Sequence, residues 1–278
     1  MTLCNVCFRH CELGEGQTGF CGARICAGGR VEAGNYGRIT ALALDPIEKK
    51  PLRRFHPGEM ILSVGSYGCN LRCPFCQNNS ISWSQQAFAM ADRARVITPQ
   101  KLADLALQYA DEGNMGLAFT YNEPLVGYEF VRDTARLVKE NGQLCVMVTN
   151  GTAEISVLEE LLPFIDAMNI DLKGFTDRYY TEVLGGSRKM VMDFIERAAA
   201  DCHVELTTLI VPGENDDEDE MRQLSGWVAG LVPAIPLHIT RFFPQFRMTD
   251  RPPTDVDHIY RLVETAREQL QHVYAGNC

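Results

Sequence analysis

From about residue 59 onward, short apolar runs alternate with longer amphipathic stretches. The apolar runs are rich in Val, Ile, Leu, Met and Phe and mostly do not alternate with polar residues, which is typical of parallel strands covered on both faces. Six strands are predicted, at residues 60–66, 116–121, 144–149, 167–172, 204–211 and 236–242.

The stretches between these runs predict helices. One helix begins at Thr98, a capping residue, with Pro99 in its first turn and an apolar stripe at Leu102, Leu105 and Ala106 that reaches Tyr109. Further helices are predicted at residues 126–140, 154–162, 189–200, 216–231 and 254–270. Six β–α units predict an α/β fold, a partial (β/α)6 TIM-like barrel with its chemistry at the C-terminal ends of the strands.

The first 58 residues have a different texture. They are rich in Cys and Gly and show no sustained period, so they predict a small Cys/Gly-rich N-terminal module. A piece of this size buries too little apolar surface to be stable alone and needs a staple such as a metal. We therefore predict two domains, a metal-binding module at 1–58 and a barrel at 59–278.

Composition and charge exclude several classes of protein. The 278 residues are 46% hydrophobic and 22% charged, which is ordinary for a globular protein. The net charge of −10 disfavours a nucleic-acid binder, because phosphate neutralisation by basic residues supplies most of that affinity. No apolar run approaches the roughly 18 residues of a membrane span, and no secretory signal pattern opens the chain, so a cytoplasmic location is expected.

Cysteine is the informative residue. The chain has 11, an odd number, and eight of them lie in the first 76 residues. Disulfide scaffolds are normally short secreted chains with even counts, so this clustering indicates metal ligation in a reducing compartment.

Three of these cysteines follow the first predicted strand, at Cys69, Cys73 and Cys76. A structural zinc site is closed by four ligands, whereas a [4Fe–4S] cluster bound by three thiolates keeps one iron open for a non-protein ligand. The alternative is a zinc loop completed by Cys26 or another distant thiol.

Residues 69–76 resemble the signature of the radical S-adenosylmethionine (SAM) superfamily. The resemblance implies that the open iron binds the amino and carboxylate groups of SAM. One electron, from a flavodoxin or ferredoxin, would then split SAM into methionine and a 5′-deoxyadenosyl radical that takes hydrogen from a substrate. It also implies that Phe75 lies beside the adenine and that Gln77 belongs to the cofactor-binding loop.

The ends of the next two strands agree with this resemblance. Tyr121, Asn122 and Glu123 stand where the superfamily has a Gly-Gly-Glu-like motif that holds the SAM ammonium group, although Tyr and Asn replace the glycines. For Glu123 the local alternative is a carboxylate at a helix N-terminus before Pro124. Asn150 is similar to the Asn of the activases' Thr-Asn-Gly, and either binds a ligand or shapes an Asn-Gly turn.

The fourth and sixth strands carry the residues assigned to catalysis. Asp171 and Lys173 share one face of a strand and resemble the Asp-x-Lys that contacts SAM or substrate in glycyl-radical-enzyme activases. A buried ion pair is the structural alternative. Arg241 could bind a carboxylate in bidentate fashion. The acidic run 214–220 is interpreted as a solvated first helical turn.

The chain as a whole resembles the radical SAM enzyme of the AmmeMemoRadiSam system, a group similar to pyruvate formate-lyase-activating enzymes. The stretch from Asp45 to Leu52 is its most specific match, while Phe8 replaces the usual proline and the chain ends at Cys278. This resemblance implies the chemistry but leaves open whether the substrate is a protein or a small molecule. A glycyl-radical-enzyme activase proper, or a non-catalytic zinc-stabilised interaction protein, are the alternatives.

Two further expectations concern metals and partners. The N-terminal cysteines suit either zinc or a second iron–sulfur cluster, with zinc or another structural role slightly favoured. These cysteines are Cys4, Cys7, Cys11 and Cys21. The basic residues just before the first strand either face the electron donor or form plain surface. They are Lys49, Lys50, Arg53 and Arg54.

Overall fold

Short antiparallel strand pairs form the N-terminal segment. The computed structural model describes residues 1–89 and 93–278. The first strands are β1 (Thr2–Leu3), β2 (Glu12–Leu13), β3 (Arg24–Ala27), β4 (Arg30–Ala33) and β5 (Arg38–Ile39). β1 pairs with β2, and β3 with β4. Several glycines of this segment, among them Gly16, Gly22 and Gly37, have positive φ values that most residues avoid.

An eight-stranded sheet forms the centre of the molecule. The remaining strands are β6 (Ala41–Pro46), β7 (Met60–Gly65), β8 (Arg95–Val96), β9 (Asn114–Phe119), β10 (Leu144–Thr149), β11 (Ala167–Asp171), β12 (His203–Ile210), β13 (Leu237–Arg241) and β14 (Val273–Gly276). The sheet order is β14-β13-β12-β11-β10-β9-β7-β6, while β8 pairs with β5. β6 is antiparallel to β7 and the other neighbours are parallel, so the sheet is an open barrel with β6 and β14 at its edges.

The predicted α/β partial barrel is confirmed. Each of the six predicted strands is present with its ends within two residues of the prediction. The prediction missed the two edge strands, β6 and β14, most of whose residues are only partly buried, unlike those of the central strands. β6 also lies inside the predicted 1–58 module, so the main sheet begins before the predicted domain boundary.

Helices cover the outer face of the sheet. They are α1 (Asn79–Ser82), α2 (Gln85–Phe88), α3 (Pro99–Gln108), α4 (Tyr128–Glu140), α5 (Ile155–Leu161), α6 (Arg188–Ala199), α7 (Glu218–Leu231) and α8 (Val256–Arg267). Thr98 caps α3 as predicted, since its hydroxyl accepts from Lys101 N. α7 and α8 each start two residues later than predicted, because Asp217 and Asp255 accept backbone N–H groups as caps instead of joining the helix.

Short 3-10 turns lie at Ile47–Lys49, Tyr109–Glu112, Pro124–Gly127 and Leu162–Phe164, and a π-helix at Tyr179–Leu184. No helix in the described ranges combines the length and apolar character that crossing a membrane requires.

The two faces of the sheet pack against different partners. Residues such as Leu117 and Cys145 join the large core that the helices form, while the alternate residues Ala118 and Val146 face inward. The inward residues pack on Ile47 and Leu52, which are fully buried. Residues 47–55, here called the barrel plug, therefore fill part of the barrel interior.

The expectation that the basic residues before the first predicted strand form a surface or face the electron donor is wrong for Lys50, which lies in the barrel plug. Lys50 is only 2% exposed, and its Nζ lies 2.9 Å from Asp45 Oδ2. Lys49 Nζ contacts the same carboxylate at 3.0 Å but is mostly exposed. Lys50 is thus unable to face an electron donor, whereas Arg53 and Arg54 are exposed.

Candidate active site

The three cysteines of the predicted cluster lie on the loop that leaves β7. Cys69, Cys73 and Cys76 are all free thiols, with Cys73 buried and the other two half-buried. Burial raises the pKa of the Cys73 thiol to about 12, so without a metal it is protonated at neutral pH. A bound metal reverses this preference, because the thiolate is the metal ligand.

Hydrogen-bond donors surround two of these sulfurs. The backbone N–H of Leu71 donates to Cys69 Sγ at 3.4 Å, and the Asn150 side chain reaches the same sulfur at 3.7 Å. The backbone N–H of Asn78 and the Ser82 side chain donate to Cys76. Such donors stabilise a thiolate and tune the metal that it binds. The loop therefore suits an iron–sulfur cluster in its donor chemistry.

Within residues 1–89 and 93–278, no three His, Cys, Asp or Glu side chains are grouped as ligands of a metal ion. The alternative of a zinc loop closed by Cys26 stays a prediction.

Glu123 lies buried between β9 and β10. Its carboxylate accepts from Leu125 N at 3.0 Å, from the Thr149 hydroxyl at 2.6 Å and from Asn150 N at 2.8 Å. Burial raises the pKa of Glu123 to about 7 in spite of these donors. The local alternative, a carboxylate that caps the turn after it, is present in the structure, and a carboxylate has acceptor capacity left for a ligand.

Asn150 supports the cysteine loop. Its side-chain N–H group donates to Asn70 Oδ1 at 3.0 Å as well as towards Cys69, and its Oδ1 accepts from Thr152 N at 2.9 Å. Asn70 in turn donates to Thr152 O at 2.8 Å. The turn after β10 is thereby fastened to the residue that follows the first cysteine.

Tyr121 and Asn122 hold neighbouring backbone. Tyr121 has a φ of +73°, its hydroxyl donates to Asp45 Oδ2 at 2.8 Å, and its ring lies 4.7 Å from Lys50 Nζ. Asn122 accepts from Ser66 N at 2.8 Å and donates to Gly68 O at 3.2 Å. Both side chains thus tie the end of β9 to the end of β7 and to the Asp45–Lys50 pair.

Asp171 and Lys173 form the predicted pair at the C-terminal end of β11. Lys173 Nζ lies 2.8 Å from Asp171 Oδ2. Although burial acts to lower it, the nearby Asp171 carboxylate and the Cys73 sulfur raise the pKa of Lys173 above its usual value. An ammonium group therefore stands next to the cysteine loop, paired with a carboxylate that is about one-third exposed.

The remaining predicted residues are divided between the loop and the outer face. Phe75 is buried, with its ring 6.2 Å from that of Phe242, whereas Gln77 is exposed. Arg241 shares the helix-covered face of β13 with Ile239, and its Nε donates to Thr254 O at 2.7 Å. The structure does not bring Arg241 together with Asp171 and Lys173.

Several supporting residues were not predicted from the sequence. Tyr180, in the π-helix, accepts from Lys173 N at 3.0 Å, and Asn215 donates to Lys173 O at 2.7 Å. Arg72 N donates to Leu184 O at 2.8 Å, which joins the cysteine loop to the π-helix. The Asn215 contact and the Arg72–Leu184 contact join residues far apart in the chain. Of the supporting residues outside the cysteine loop, only Asn215, within the acidic run 214–220, lies in a local signal.

Comparison with known proteins agrees with this arrangement. A sequence model described as the Radical SAM superfamily matches residues 63–224, more than half of the chain. This chain belongs to the radical SAM superfamily.

Relatives within the superfamily include activating enzymes. The chain is 39% identical over 278 residues to "Uncharacterized protein MJ0808" of Methanocaldococcus jannaschii, covering 99% of this chain and 80% of that protein. It is 28% identical over 163 residues to pyruvate formate-lyase 1-activating enzyme of Escherichia coli K12, covering 56% of this chain and 63% of the enzyme, under two thirds of its length. The predicted resemblance to activating enzymes is confirmed, while the AmmeMemoRadiSam assignment stays a prediction.

A solved structure supports the fold alone. The radical SAM methyltransferase from Sphaerobacter thermophilus superposes with a TM-score of 0.60 at 16% identity, over 80% of this chain and 67% of that one. This agrees with the open barrel of parallel strands. Membership of the radical SAM superfamily implies a [4Fe–4S] cluster and SAM for this chain, and Cys69, Cys73 and Cys76 stay the predicted ligands.

Gly68 is where the cysteine loop meets the N-terminal segment. Its φ is +98°, and a Cβ there would lie 2.8 Å from Ala23 Cβ and 2.9 Å from Cys21 O. We expect Gly68→Ala to destabilise the protein by about 2–4 kcal/mol, from left-handed backbone and overpacking together. Urea unfolding measures the loss.

Gly113→Ala is the matched control. Gly113 has a φ of +85°, and a Cβ there would have nothing within 4 Å of it, so its substitution adds backbone strain without a clash. About 1 kcal/mol is expected for it. Equal losses in the two variants would contradict the close contact at Gly68.

Proposed function

We propose that this chain binds a [4Fe–4S] cluster through Cys69, Cys73 and Cys76 and cleaves SAM reductively. When bound, the cluster and SAM supply a 5′-deoxyadenosyl radical that abstracts hydrogen from a protein or small-molecule substrate. The observation that carries the proposal is a loop of three free cysteines at the C-terminal end of the first parallel strand, with a lysine–aspartate pair beside it. Active sites of barrel enzymes lie at this end of the strands.

The surrounding residues would position SAM. Phe75 and Gln77 flank Cys76 and suit contact with the adenine end, while Tyr121 and Asn122 set the backbone where β9 ends. Glu123 keeps acceptor capacity for the SAM ammonium group beside three protein donors. Asn150 holds the Cys69 loop in place from β10.

Asp171 and Lys173 are proposed to bind SAM or substrate by charge. The Lys173 ammonium group suits a carboxylate, and the Asp171 carboxylate suits a cation or hydroxyl donor. Each keeps hydrogen-bonding capacity beside their 2.8 Å contact, because an ammonium group has three donors and a carboxylate about four acceptor positions.

The direct test is product formation. Anaerobically reconstituted protein, supplied with dithionite and SAM, is expected to release 5′-deoxyadenosine and methionine, which chromatography with mass detection quantifies. We expect reduced flavodoxin or ferredoxin to support the same reaction in place of dithionite. A folded, cluster-loaded protein that leaves SAM intact would overturn the proposal, and so would a colourless zinc-bound protein.

Lys173→Met tests the charge pair. The variant keeps an apolar stem of similar length but leaves the Asp171 carboxylate unpaired in a mostly buried position, and removes the ammonium group beside the cysteine loop. We expect 5′-deoxyadenosine formation to fall at least about tenfold while iron content is unchanged, since an outer group of a metal site typically contributes 10–100-fold.

Lys189→Met is the control for this prediction. Lys189 makes a comparable pair with Asp193 on α6, but its side chain is 82% exposed. Its loss should leave turnover unchanged, because exposed pairs contribute little. Normal turnover in Lys173→Met would contradict a role for the Asp171–Lys173 pair in the proposed site.

A glycyl-radical-enzyme activase is the second candidate, favoured by the similarity to the E. coli activating enzyme. In that case, a partner protein incubated with the reduced enzyme and SAM gains a glycyl radical that EPR detects. Absence of any protein radical, with hydrogen from a small molecule found in 5′-deoxyadenosine, would favour the small-molecule alternative.

A further inference from the structure

Four cysteines outside the proposed SAM site line a single small cavity. Three come from the loop that connects β1 to β2 and the fourth from the loop before β3, and all four are free thiols. The cavity is lined by Cys4, Cys7, Cys11 and Cys21, with Arg9 and Arg24. A hydrogen bond from Cys4 N to Cys11 O at 2.9 Å holds the hairpin ends together. The sequence spreads these thiols over 18 residues, and folding gathers them around one space.

Two sulfurs of this cavity receive backbone hydrogen bonds in the pattern seen at the cysteine loop of residues 69–76, here called the SAM-site loop. Arg24 N donates to Cys21 Sγ at 3.4 Å, and Arg9 N donates to Cys7. The donor at Cys7 lies two residues after the cysteine, as Leu71 does after Cys69. Backbone donors placed in this way stabilise thiolates rather than thiols.

Arg24 adds an independent sign of a missing partner. Its side chain is 94% buried, because only 6% of it is exposed, and one of its terminal nitrogens binds both oxygens of Glu129 at 2.7 Å. Its Nε is buried without any hydrogen-bond partner. A buried N–H group without an acceptor costs about 1–3 kcal/mol, so an acceptor at this cavity would be stabilising.

The likeness to the SAM-site loop favours a cluster over a single ion. The SAM-site loop belongs to a family that uses a cluster. The N-terminal cysteines share with it the N–H···S bonds from the backbone, including a donor two residues after a cysteine, and they also provide a fourth thiolate.

We propose that Cys4, Cys7, Cys11 and Cys21 bind a second iron–sulfur cluster, of the [4Fe–4S] type, and that Arg24 Nε donates to one of its sulfurs. Four thiolates occupy every iron of such a cluster, so it has no open position for SAM. This proposal differs from the structural zinc that the sequence slightly favoured, because an iron–sulfur cluster is redox-active and zinc is not.

The two cysteine sites are in direct contact through the backbone. Cys69 N donates to Cys21 O at 3.1 Å, and the Asn70 side chain donates to Cys7. Gly68 packs against the same Cys21 carbonyl. The second cluster would therefore lie next to the first. A structural change at one site would alter the backbone of the loop that holds the other.

The test removes the first site and counts iron in the second. A Cys69→Ala, Cys73→Ala, Cys76→Ala variant of the full chain, reconstituted anaerobically with iron and sulfide, is expected to stay brown and hold about four irons per chain. Reduction with dithionite should produce an EPR signal of a reduced cluster. Because this variant cannot cleave SAM, the result is independent of the proposed function.

Matched variants assign the iron to the cavity. Adding Cys7→Ala and Cys21→Ala should remove the remaining iron and the EPR signal, whereas adding Cys26→Ala, a buried cysteine that does not line the cavity, should leave both. Circular dichroism checks that each variant is folded. About one zinc per chain, or no metal in the folded triple variant, would overturn the second cluster.

Wild-type protein provides a second measurement if the triple variant does not fold. It should hold about eight irons per chain, and Cys7→Ala with Cys21→Ala should lower this to about four. A wild-type content of about four irons, unchanged by the double substitution, would also overturn the proposal.

Discussion

Replacing Cys73 by Ala should abolish SAM cleavage and remove about four irons per chain. Cys73 is the buried middle ligand of the loop, and no other cysteine of the SAM-site loop is in a position to substitute without moving the backbone that holds it. Loss of an outer partner of a metal site typically costs about 10–100-fold, so loss of a ligand itself should cost more. Anaerobic iron analysis and 5′-deoxyadenosine quantification measure both effects.

Cys202→Ala is the control for Cys73→Ala. Cys202 precedes β12 and is half-buried, and its Sγ donates to His203 O at 3.5 Å. Its removal should leave iron content and product formation unchanged. If Cys73→Ala kept wild-type iron and product, the cluster would have to be bound elsewhere and the proposed function would fail.

The parts of the fold that the sequence predicts are those with a local signal. The six central strands are continuous apolar runs because both of their faces are covered, and Thr98 and Pro99 mark the start of α3. The cysteine loop is equally local, since all three ligands lie within eight residues. Each of these features depends on neighbours along the chain.

The features that the sequence does not predict depend on contacts between residues that are far apart along the chain. Residues 47–55 have the pattern of a charged surface segment, yet Ile47 and Leu52 fill the barrel and Lys50 pairs inside it with Asp45. A family motif points to Glu123, and only the structure shows that its carboxylate accepts from Leu125 N, the Thr149 hydroxyl and Asn150 N. Arg241 is suggested by residue type alone, whereas strand alternation turns it to the helix-covered face.

Substitution of Glu205 is expected to be among the most destabilising outside the cysteine loop. This carboxylate is fully buried, and each of its oxygens accepts one backbone N–H of the barrel plug, Arg54 at 2.7 Å and Arg53 at 3.0 Å. His238 Nε2 lies 2.6 Å and His203 Nε2 3.1 Å from it. One side chain thus fastens the plug to β12 and β13.

Glu205→Ala should therefore lower the free energy of unfolding by about 3–5 kcal/mol, because several buried donors lose their acceptor at about 1–3 kcal/mol each. The substitution leaves two backbone N–H groups and a buried imidazole without acceptors. Urea unfolding at neutral pH measures the loss. Glu159→Ala is the control, because Glu159 forms an exposed pair with Arg197 on the surface and should cost less than about 1 kcal/mol.

The same carboxylate predicts how stability depends on pH. Although burial acts to raise it, the hydrogen bonds from His203, His238 and the plug lower the pKa of Glu205 to about 2, below its ordinary value of about 4.3. In the unfolded chain this group binds a proton at a higher pH than in the folded protein, so its stabilising effect is complete above about pH 5 and is lost as the pH falls towards 2. Between pH 5 and about 3, wild-type stability should fall more steeply than that of Glu205→Ala; parallel curves would show that the carboxylate does not hold the plug by its charge.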